Sequence, residues 1–412
     1  EQTLISIIED VTHSNSGFAL FFIDLDMFKE INDTLGHTWG DELLKAVAKR
    51  LVSCIDSANG MLARFGGDEF VYVANNITDE IQCEEIAKTL TDCFKKSFEL
   101  STESVHITSS IGISIFPRDG DGIDDLLKHA DAAMYQAKAE GRNRYHFFTK
   151  TLSQRLRQQR SIAARLRESL KKDEFELLFQ PQIDVKTGKF TSCEALLRWR
   201  PLGEESAVPP NIFIPIAERS ELIADIGRWV LEKTCQQSKK WEQKGIGVRI
   251  DINVSGKELE KSSFFERLTA CRSHYGLSPE DIGLELTENV LIKSDNAILE
   301  NLRAQRDLGV EISIDDFGTG YSSLSYLKQF PVSHLKIDRS FLKGAPENAY
   351  DSALMEAIVN VGHKLDLKIV VEGVETQSQS DYCKSLNVEF VQGFLYSRPI
   401  SAEAIEALLE KQ

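Results

Sequence analysis

The sequence predicts two domains of different fold class: an α+β unit over residues 1–149 and an α/β unit, a (β/α)8 barrel, over residues 175–412. Three observations lead to this prediction. The chain has 412 residues, which is long for one ordinary domain. Strands and helices are mixed in the first part but alternate regularly in the second. Between them, the polar and basic residues 150–174 have sparse leucines and predict a connecting helix with a solvated charged face.

The first part begins with GFALFFIDLD (17–26), an apolar run that predicts a strand. GDELLKAVAKRLVSCI (40–55) has the apolar spacing of a helix, and MLARFGGDEFVYVA (61–74) predicts two short strands around a Gly-Gly turn. A helix over 79–97, a strand over 105–116 and a helix over 122–141 that ends at a glycine complete the unit.

The second part contains eight candidate strands, separated for the most part by helical patterns. They cover residues 175–181, 192–199, 248–255, 282–288, 310–316, 334–338, 368–375 and 390–394. Repeated strand–helix units of this number over about 240 residues are typical of a (β/α)8 barrel. The active site of such a barrel lies at the carboxyl ends of its strands, so polar residues there are the candidates for chemistry.

Composition excludes some classes of partner. A net charge of −16 argues against binding a nucleic-acid polymer or an anionic membrane through bulk charge, but not against a small nucleotide. Seven scattered cysteines without a C-x-x-C predict neither a disulfide framework nor a zinc site, and indicate a reducing cytosol. Because the sequence begins at Glu1, we expect an upstream sensory or membrane-anchoring region outside it. We expect a cytoplasmic location in a bacterium, free or as the cytoplasmic part of a membrane-anchored sensor.

Polar residues lie in or just after the predicted barrel strands: Glu194, Asn253, Glu285, Asp315, Asp316, Lys336, Asp338, Glu372 and Gln392. One buried carboxylate is easily a structural hydrogen-bond anchor, but five or six at one mouth need compensation, because an unpaired buried charge is costly. One lysine cannot balance them, whereas two divalent cations can. Oxygen ligands without a His or Cys cluster favour Mg2+ or Mn2+ over Zn2+. Two such ions suit the attack of water on a phosphodiester.

The motifs EAL (194–196), NVS (253–255), ELTE (285–288), DDFGTGYSSL (315–324), KID (336–338), EGVET (372–376) and QG (392–393) closely resemble the EAL-domain cyclic di-GMP phosphodiesterases. The resemblance implies hydrolysis of cyclic di-GMP to linear pGpG. It implies metal ligation by Glu194, Asn253, Glu285, Asp315, Asp316 and Glu372, of which Glu194 and Glu372 also count as catalytic. Lys336 would orient or deprotonate the attacking water, and Glu288 would anchor the 317–324 loop. Implied substrate contacts are Gln180, Leu196, Arg198, Asp338 and Gln392.

RFGGDEF (64–70) alone could be an ordinary hairpin turn. FFIDLDMFKEIND (21–33) adds a second acidic strand end, so Asp24 and Asp68 could hold metal ions together, with Gly66 and Gly67 leaving room for a base or a triphosphate. AKAEGRN (137–143) places Lys138 and Arg142 one predicted helical turn apart, suited to phosphate oxygens.

These motifs closely resemble the GGDEF diguanylate cyclase domain, which is related in fold to the nucleotide cyclases. The resemblance implies GTP binding, with Asp24, Asp68 and the Leu25 carbonyl as metal ligands and Glu69 as a catalytic residue. Further implied contacts are Phe28, Lys29, Lys138 and Arg142 at the phosphates, and Asn32 and Asp41 at the guanine edge. The family's inhibitory R-x-x-D is replaced by SANG (57–60), so we expect no product feedback there.

Two alternatives stay open for function. The first half could synthesise cyclic di-GMP, which needs two such domains face to face and so a homodimer, or it could bind GTP only as a regulator. The whole chain could instead be a non-catalytic cyclic di-GMP receptor. Receptors of this kind usually lack some of the acids or the lysine, and here all are present.

Overall fold

The computed structural model describes residues 17–55, 60–77, 79–101, 103–203, 206–261, 263–318, 327 and 329–410. The chain divides into two compact units, Glu1–Arg160 and Ser161–Gln412, and the division lies inside the helix Lys150–Ser169. None of the described helices is both long and apolar enough to cross a membrane.

The first unit is built on a five-stranded sheet in the order β2-β3-β1-β6-β7. β1 is central and pairs antiparallel with β3 and β6, whereas β7 is parallel to β6. Every residue of β1 is buried, which explains why its apolar run is continuous rather than alternating. The elements are β1 Phe18–Leu25, α1 Phe28–Leu35, α2 His37–Cys54, β2 Gly60–Gly66, β3 Glu69–Asn75, α3 Glu80–Asp92, β4 Phe98–Glu99, β5 Ser104–Val105, β6 Ser109–Phe116, α4 Ile123–Ala139 and β7 Arg144–Phe147.

The end of α4 differs from the prediction. Gly141 has φ +112°, and the Arg142 amide donates to the Ala137 carbonyl at 3.0 Å, which closes a Schellman-type cap. The helix therefore ends at Ala139, and Arg142 lies beyond it with φ 61°. The predicted placement of Lys138 and Arg142 one helical turn apart is wrong, because only Lys138 belongs to the helix. Helix α1 and strands β4 and β7 were not predicted.

Helices α2 and α3 are joined at their carboxyl ends. Cys54 and Cys93 form a disulfide, and the other five cysteines are free. The Arg50 guanidinium donates to the carbonyls of Cys93 at 3.1 Å and Ser97 at 2.7 Å, and lies 3.5 Å from the Phe98 ring centroid. The cysteine pattern predicted no framework of several disulfides. The described residues contain none, but they do contain this one pair, which was not predicted.

The second unit is a closed eight-stranded barrel in the order β10-β11-β12-β13-β14-β15-β8-β9. Strands β9 to β15 run parallel to one another, whereas β8 is antiparallel to both of its neighbours, β9 and β15. The fold class is confirmed, with a hairpin in place of the first strand–helix unit. The bounds are α5 Lys150–Ser169, β8 Phe175–Asp184, β9 Phe190–Trp199, α6 Pro210–Arg219, α7 Ile223–Gln243, β10 Arg249–Asn253, α8 Gly256–Leu259, α9 Ser263–Tyr275, β11 Ile282–Thr287, α10 Glu288–Lys293, α11 Asn296–Asp307, β12 Ile312–Phe317, β13 His334–Ile337, α12 Ala349–Lys364, β14 Lys368–Val371, α13 Gln377–Ser385, β15 Phe390–Val391 and α14 Ala402–Leu409. Single 3-10 turns cover Pro279–Asp281 and Arg339–Phe341.

Alternation along the strands separates the outer apolar core from a polar lumen. In β11, Leu284 and Leu286 are buried in the apolar core, whereas Glu285 between them is buried among charged side chains. In β13 the same alternation places Leu335 in the core and Lys336 in the lumen. The polar residues of the sequence therefore converge because they share the inner face of a closed barrel.

Candidate functional site

Four carboxylates meet one ammonium group in the barrel lumen. The Nζ atom of Lys336 lies 2.6 Å from Glu285 Oε2, 2.8 Å from Glu372 Oε1, 3.1 Å from Asp315 Oδ1 and 3.5 Å from Glu194 Oε2. The lysine side chain is 1% exposed, so these contacts are largely shielded from water. The residues come from five strands or strand ends, as their positions in the sequence predicted.

Two side-chain amides fix the orientation of Glu194. Asn253, the last residue of β10, donates from Nδ2 to Glu194 Oε1 at 2.7 Å. Gln392 donates from Nε2 to Glu194 Oε2 at 2.7 Å and to Gln180 Oε1 at 3.2 Å. Gln180 in turn donates to the Ser397 carbonyl at 3.1 Å. Asn253, a predicted metal ligand, and Gln392, a predicted substrate contact, thus bond directly to the predicted catalytic carboxylate, and Gln180 is linked to it through Gln392.

The two adjacent aspartates of β12 face the same way because the strand is irregular there. The pairing of β12 with β13 shifts register between Ile314 and Phe317, and Asp316 has φ 53°. Oxygens of Asp315, Asp316 and Glu372 lie within 4.8 Å of one another, close enough to share a metal ion. In a regular strand, Asp315 and Asp316 would point to opposite faces.

Burial and crowding disturb the pKa values of these acids. Burial raises the pKa of Glu285 well above its usual value, and the Glu194 charge adds to the shift. Burial also raises the pKa of Glu372 to about 8, against the opposing pull of Lys336. Burial disfavours the charged form of Glu194 as well, but Lys336 and the amides outweigh it and hold its pKa below the usual value. Burial and the Asp315 charge raise the pKa of Asp316.

The donor set fits hard divalent cations. If all five carboxylates are ionised, Lys336 leaves four negative charges at the mouth. Within the described part of the chain, the buried atoms Glu285 Oε1 and Gln392 Oε1 accept no hydrogen bond. An orphaned buried carboxylate oxygen is costly in a protein interior and is the ligand that Mg2+ and Mn2+ prefer. Asp315, Asp316 and Glu372 supply a candidate cation site, and the orphaned oxygens add ligand capacity beside it.

The remaining predicted contacts belong to β9 and to the segments that follow β11 and β13. Leu196 and Arg198 follow Glu194 on the same face of β9 and are half-buried. Asp338 accepts from the Ser340 amide at 2.9 Å and caps the 3-10 turn after β13. Glu288 accepts from the Gly318 amide at 3.3 Å, in line with its predicted role at the loop that follows β12. Residues 319–326 of that loop lie outside the described residues.

A charged layer beneath the mouth was missed by the sequence reasoning. Arg249 donates to both oxygens of Asp251, at 2.7 and 3.1 Å, although Asp251 is 1% exposed. A Cβ atom at Gly283 of the neighbouring strand would overlap Asp251 Oδ1, so the carboxylate fills the space that glycine leaves. The inner-face spacing of Asp251 and Asn253, two residues apart, was the available signal.

In the first unit, the predicted acids meet at the ends of β1 and β3. Asp24 is the Cα partner of Glu69, and the Leu25 amide donates to the Asp68 carbonyl at 3.3 Å. Lys138 Nζ lies 2.6 Å from Asp24 Oδ2. Burial raises the pKa of Asp24 despite Lys138, and burial together with the Asp24 charge raises the pKa of Glu69. Asp24 and Glu69 thus form an acidic pair at the strand ends, with the Lys138 ammonium against Asp24.

The predicted guanine contacts lie side by side. A Cβ atom at Gly40 would overlap Asn32 Oδ1, which brings α1 against the start of α2 beside Asp41. Asp41 borders a cavity of about 420 Å³. Phe28 packs in the core and Lys29 is exposed, so of these two predicted phosphate contacts only the lysine side chain is open to solvent.

The Gly-Gly turn has open space on its outer side. Beyond the adjacent residues of the chain, no atom lies within 4 Å of a Cβ built at Gly66 or Gly67, and Gly67 has φ 52°. Arg64 donates from Nε and a terminal nitrogen to the Gly67 carbonyl, at 2.9 and 2.7 Å, and closes the turn. The replaced R-x-x-D position falls largely on residues 56–59, which lie outside the described residues.

Comparison with known proteins agrees with this geometry. The EAL domain family matches residues 163–399, and the family described as "Diguanylate cyclase, GGDEF domain" matches residues 1–144. The chain belongs to the tandem GGDEF–EAL family. As a class, EAL-domain phosphodiesterases depend on divalent metals.

Individual relatives match over nearly the whole chain. It is 38% identical over 409 residues to the signaling protein YkoW of Bacillus subtilis, covering 98% of this chain and 50% of that protein. It is 37% identical over 408 residues to the bifunctional diguanylate cyclase/cyclic di-GMP phosphodiesterase MucR of Pseudomonas aeruginosa, covering 99% of this chain and 59% of that protein. The solved PaMucR phosphodiesterase–c-di-GMP complex covers 60% of this chain and 99% of its own, with 38% identity and a TM-score of 0.57. The chain therefore spans between half and three-fifths of the length of these two curated relatives.

Proposed function

We propose that the EAL barrel hydrolyses cyclic di-GMP to linear pGpG with two Mg2+ or Mn2+ ions, and that the GGDEF unit binds GTP. The observation that carries the proposal is the meeting of four carboxylates around the Lys336 ammonium, beside a fifth on Asp316. MucR, named as a cyclic di-GMP phosphodiesterase, and its domain solved with c-di-GMP support the choice of substrate.

Bound cations would offset the excess negative charge, polarise the scissile phosphate and supply a nucleophile at neutral pH. Glu194, Asn253, Glu285, Asp315, Asp316 and Glu372 are the proposed ligands. Gln392 and Asn253 keep the Glu194 carboxylate aligned through their hydrogen bonds. The Asp315, Glu194, Glu285 and Glu372 charges outweigh burial and raise the pKa of Lys336, so it acts as a hydrogen-bond donor that orients the attacking water. Arg198, Gln180, Leu196 and Asp338 contact the nucleotide.

The test is direct. The protein is incubated with cyclic di-GMP and Mg2+ or Mn2+, and pGpG is followed by chromatography, with EDTA as the blank. Glu194→Ala should lower turnover by orders of magnitude because it removes a proposed ligand. Glu242→Ala, an exposed helix carboxylate paired with Lys239, is the control and should turn over normally. A Glu194→Ala rate within tenfold of wild type would contradict the site assignment.

The receptor alternative has its own signature. Tight cyclic di-GMP binding without pGpG, in either metal, would favour a non-catalytic receptor over the enzyme. The complete set of acids with a buried lysine favours the enzyme.

For the GGDEF unit we propose GTP binding through Asp24, Asp68, Glu69, Asn32, Asp41, Lys138 and Arg142. Whether bound GTP is converted is tested in the Glu194→Ala background by feeding GTP and following cyclic di-GMP. Product would establish synthesis and require two GGDEF domains facing each other, hence a homodimer. In the wild-type protein, a fall in the KM for cyclic di-GMP hydrolysis on adding GTP, without synthesis in the variant, would establish regulation. Both reactions would take place in the bacterial cytoplasm, where GTP is available.

A further inference from the structure

The turn that follows β10 controls where the Asn253 amide points. Asn253 ends the strand, and the next residue still pairs with β11 through the Val254 amide, which donates to the Glu285 carbonyl at 2.9 Å. Ser255 is then the N-cap of α8, a helix of only four residues. So short a helix has no stability of its own, because the cost of nucleation exceeds what one turn returns. Other contacts must therefore fix its start.

Glu258 supplies those contacts. Its Oε2 atom accepts from the Ser255 amide at 3.0 Å and from the Ser255 hydroxyl at 2.7 Å, while its own amide donates to the Ser255 carbonyl at 3.1 Å. This is a capping box around the residue two positions after Asn253. Glu258 is 5% exposed, so the box is shielded from competing water.

The other carboxylate oxygen of Glu258 is held against helix α7. A Cβ atom at Gly227 would overlap Oε1 and Cδ of Glu258 and lie 3.1 Å from Oε2. Gly227 lies inside a helix of 21 residues, where glycine is the least favourable residue after proline. The close approach of the Glu258 carboxylate accounts for its presence, because no larger residue leaves room for it.

We propose that Glu258, seated on Gly227, is a positioning residue that holds Asn253 toward Glu194 and the candidate cation site. Glu258 touches neither Glu194 nor Asn253 in this arrangement; it acts through Ser255 and the direction of the turn. The proposal rests on the proposed function in one respect, that divalent cations bind at the mouth. The packing of the Glu258 carboxylate against Gly227 does not depend on that function and is tested separately.

Manganese binding tests the positioning role in the full chain. Isothermal titration with Mn2+ alone is made on wild type, Glu258→Ala, Glu258→Gln and Gly227→Ala. Glu258→Ala should weaken Mn2+ binding about tenfold or more, the usual effect of losing a residue that orients a ligand. Glu258→Gln should stay within about threefold, since its amide oxygen accepts the same two hydrogen bonds. The hydrolysis rate of Glu258→Ala should recover at saturating Mn2+, which a general loss of structure would not allow.

Thermal unfolding tests the contact between Glu258 and Gly227, because the effect of Gly227→Ala on the unfolding temperature should change sign when Glu258 is removed. Gly227→Ala should lower the unfolding temperature of wild type, because the new methyl group displaces the carboxylate. In the Glu258→Ala background, the same substitution should raise the unfolding temperature, because the clash is gone and alanine is the better helix former. Should Gly227→Ala alone fail to fold, the two Glu258 variants still decide the proposal.

Asp281→Ala is the matched control. Asp281 closes the same kind of box, accepting from the Ser278 amide at 2.7 Å, but before the start of β11 and so at the opposite end of the barrel. Its Mn2+ affinity should equal that of wild type. If wild type binds Mn2+ and Glu258→Ala binds it equally well, the positioning role is overturned while the proposed function stands. If wild type binds no Mn2+, the cation site of the proposed function is overturned with it.

Discussion

Removal of the Lys336 ammonium tests how the acidic lumen is kept folded. Lys336→Met retains the length of the side chain but withdraws the charge from four carboxylates at 2.6 to 3.5 Å. Truncating one partner of a buried ion pair costs about 3–5 kcal/mol, and with 1% exposure no discount for solvent applies. The raised pKa values of Glu285 and Glu372 limit the loss, because these acids can take up a proton. We therefore expect the unfolding free energy to fall by about 3–5 kcal/mol in EDTA.

Manganese should reduce the difference in unfolding free energy between wild type and Lys336→Met. A cation that binds only the folded state at a hundred times its Kd stabilises it by about 2.7 kcal/mol. The variant lacks the positive charge that repels cations, so its gain should exceed that of wild type. Urea unfolding in EDTA and in Mn2+, followed by tryptophan fluorescence, measures both values.

Lys368→Met is the matched control for this experiment. It lies on the adjacent strand, with a half-exposed side chain 3.4 Å from Glu311, and should change stability by less than about 1 kcal/mol. The reasoning is refuted if Lys336→Met is as stable as wild type in EDTA, or if Mn2+ widens the gap between them.

Three further predictions concern single residues. Burial and the Arg249 charge lower the pKa of His334 to about 3, so folding keeps it neutral while the unfolded chain binds a proton below about pH 6.5. Between pH 7 and pH 5, His334→Gln should therefore lose about 2 kcal/mol less stability than wild type in urea titrations, and equal losses would contradict this. Gly318 has φ +92°, and its Cβ would lie 2.6 Å from Phe341 Cζ, so Gly318→Ala should cost about 2 kcal/mol. A smaller cost in the Phe341→Ala background would identify the clash, and an unchanged cost would exclude it. Asp26 accepts from Thr108, Ser110 and Asn143 at 2.7, 2.7 and 3.1 Å, so Asp26→Ala should destabilise the GGDEF unit by about 2–4 kcal/mol and Asp26→Asn by less, as measured by thermal unfolding.

Given a closed barrel, the alternation of side chains along each strand predicted which residues of the site point inward. Glu285 lies between two core leucines, and Lys336 between Leu335 and Ile337, so their inward direction could be read from the sequence. The pairing of Asn253 with Glu285 then follows from parallel register. Individual hydrogen bonds, such as the one from the Gln392 amide to Glu194, could not be predicted from the sequence, because they depend on which distant strands become neighbours.

The direction of β8 was also readable and was missed. Only residues 185–189 separate β8 from β9, and a parallel crossover needs about a dozen residues or more. The turn carries its own signals: Gly188 has φ +70°, and Thr187 donates from its amide to Asp184 Oδ1 at 2.7 Å. The end of α4 also carried a local signal, Gly141, but this glycine lies past the helix as part of its cap, so the helix ends at Ala139 and Arg142 lies off its face.

The adjacent aspartates of β12 show why the strand pattern alone could not predict the candidate cation site. Alternation would send one of Asp315 and Asp316 into the apolar layer, where an ionised carboxylate is strongly disfavoured. The register shift and the left-handed backbone of Asp316 turn both toward Glu372 instead. A left-handed aspartate is an unfavourable conformation that local sequence does not require, and such strain persists only where the surroundings impose it. Here it gathers three carboxylates within 4.8 Å, an arrangement that like-charge repulsion opposes and a divalent cation would stabilise.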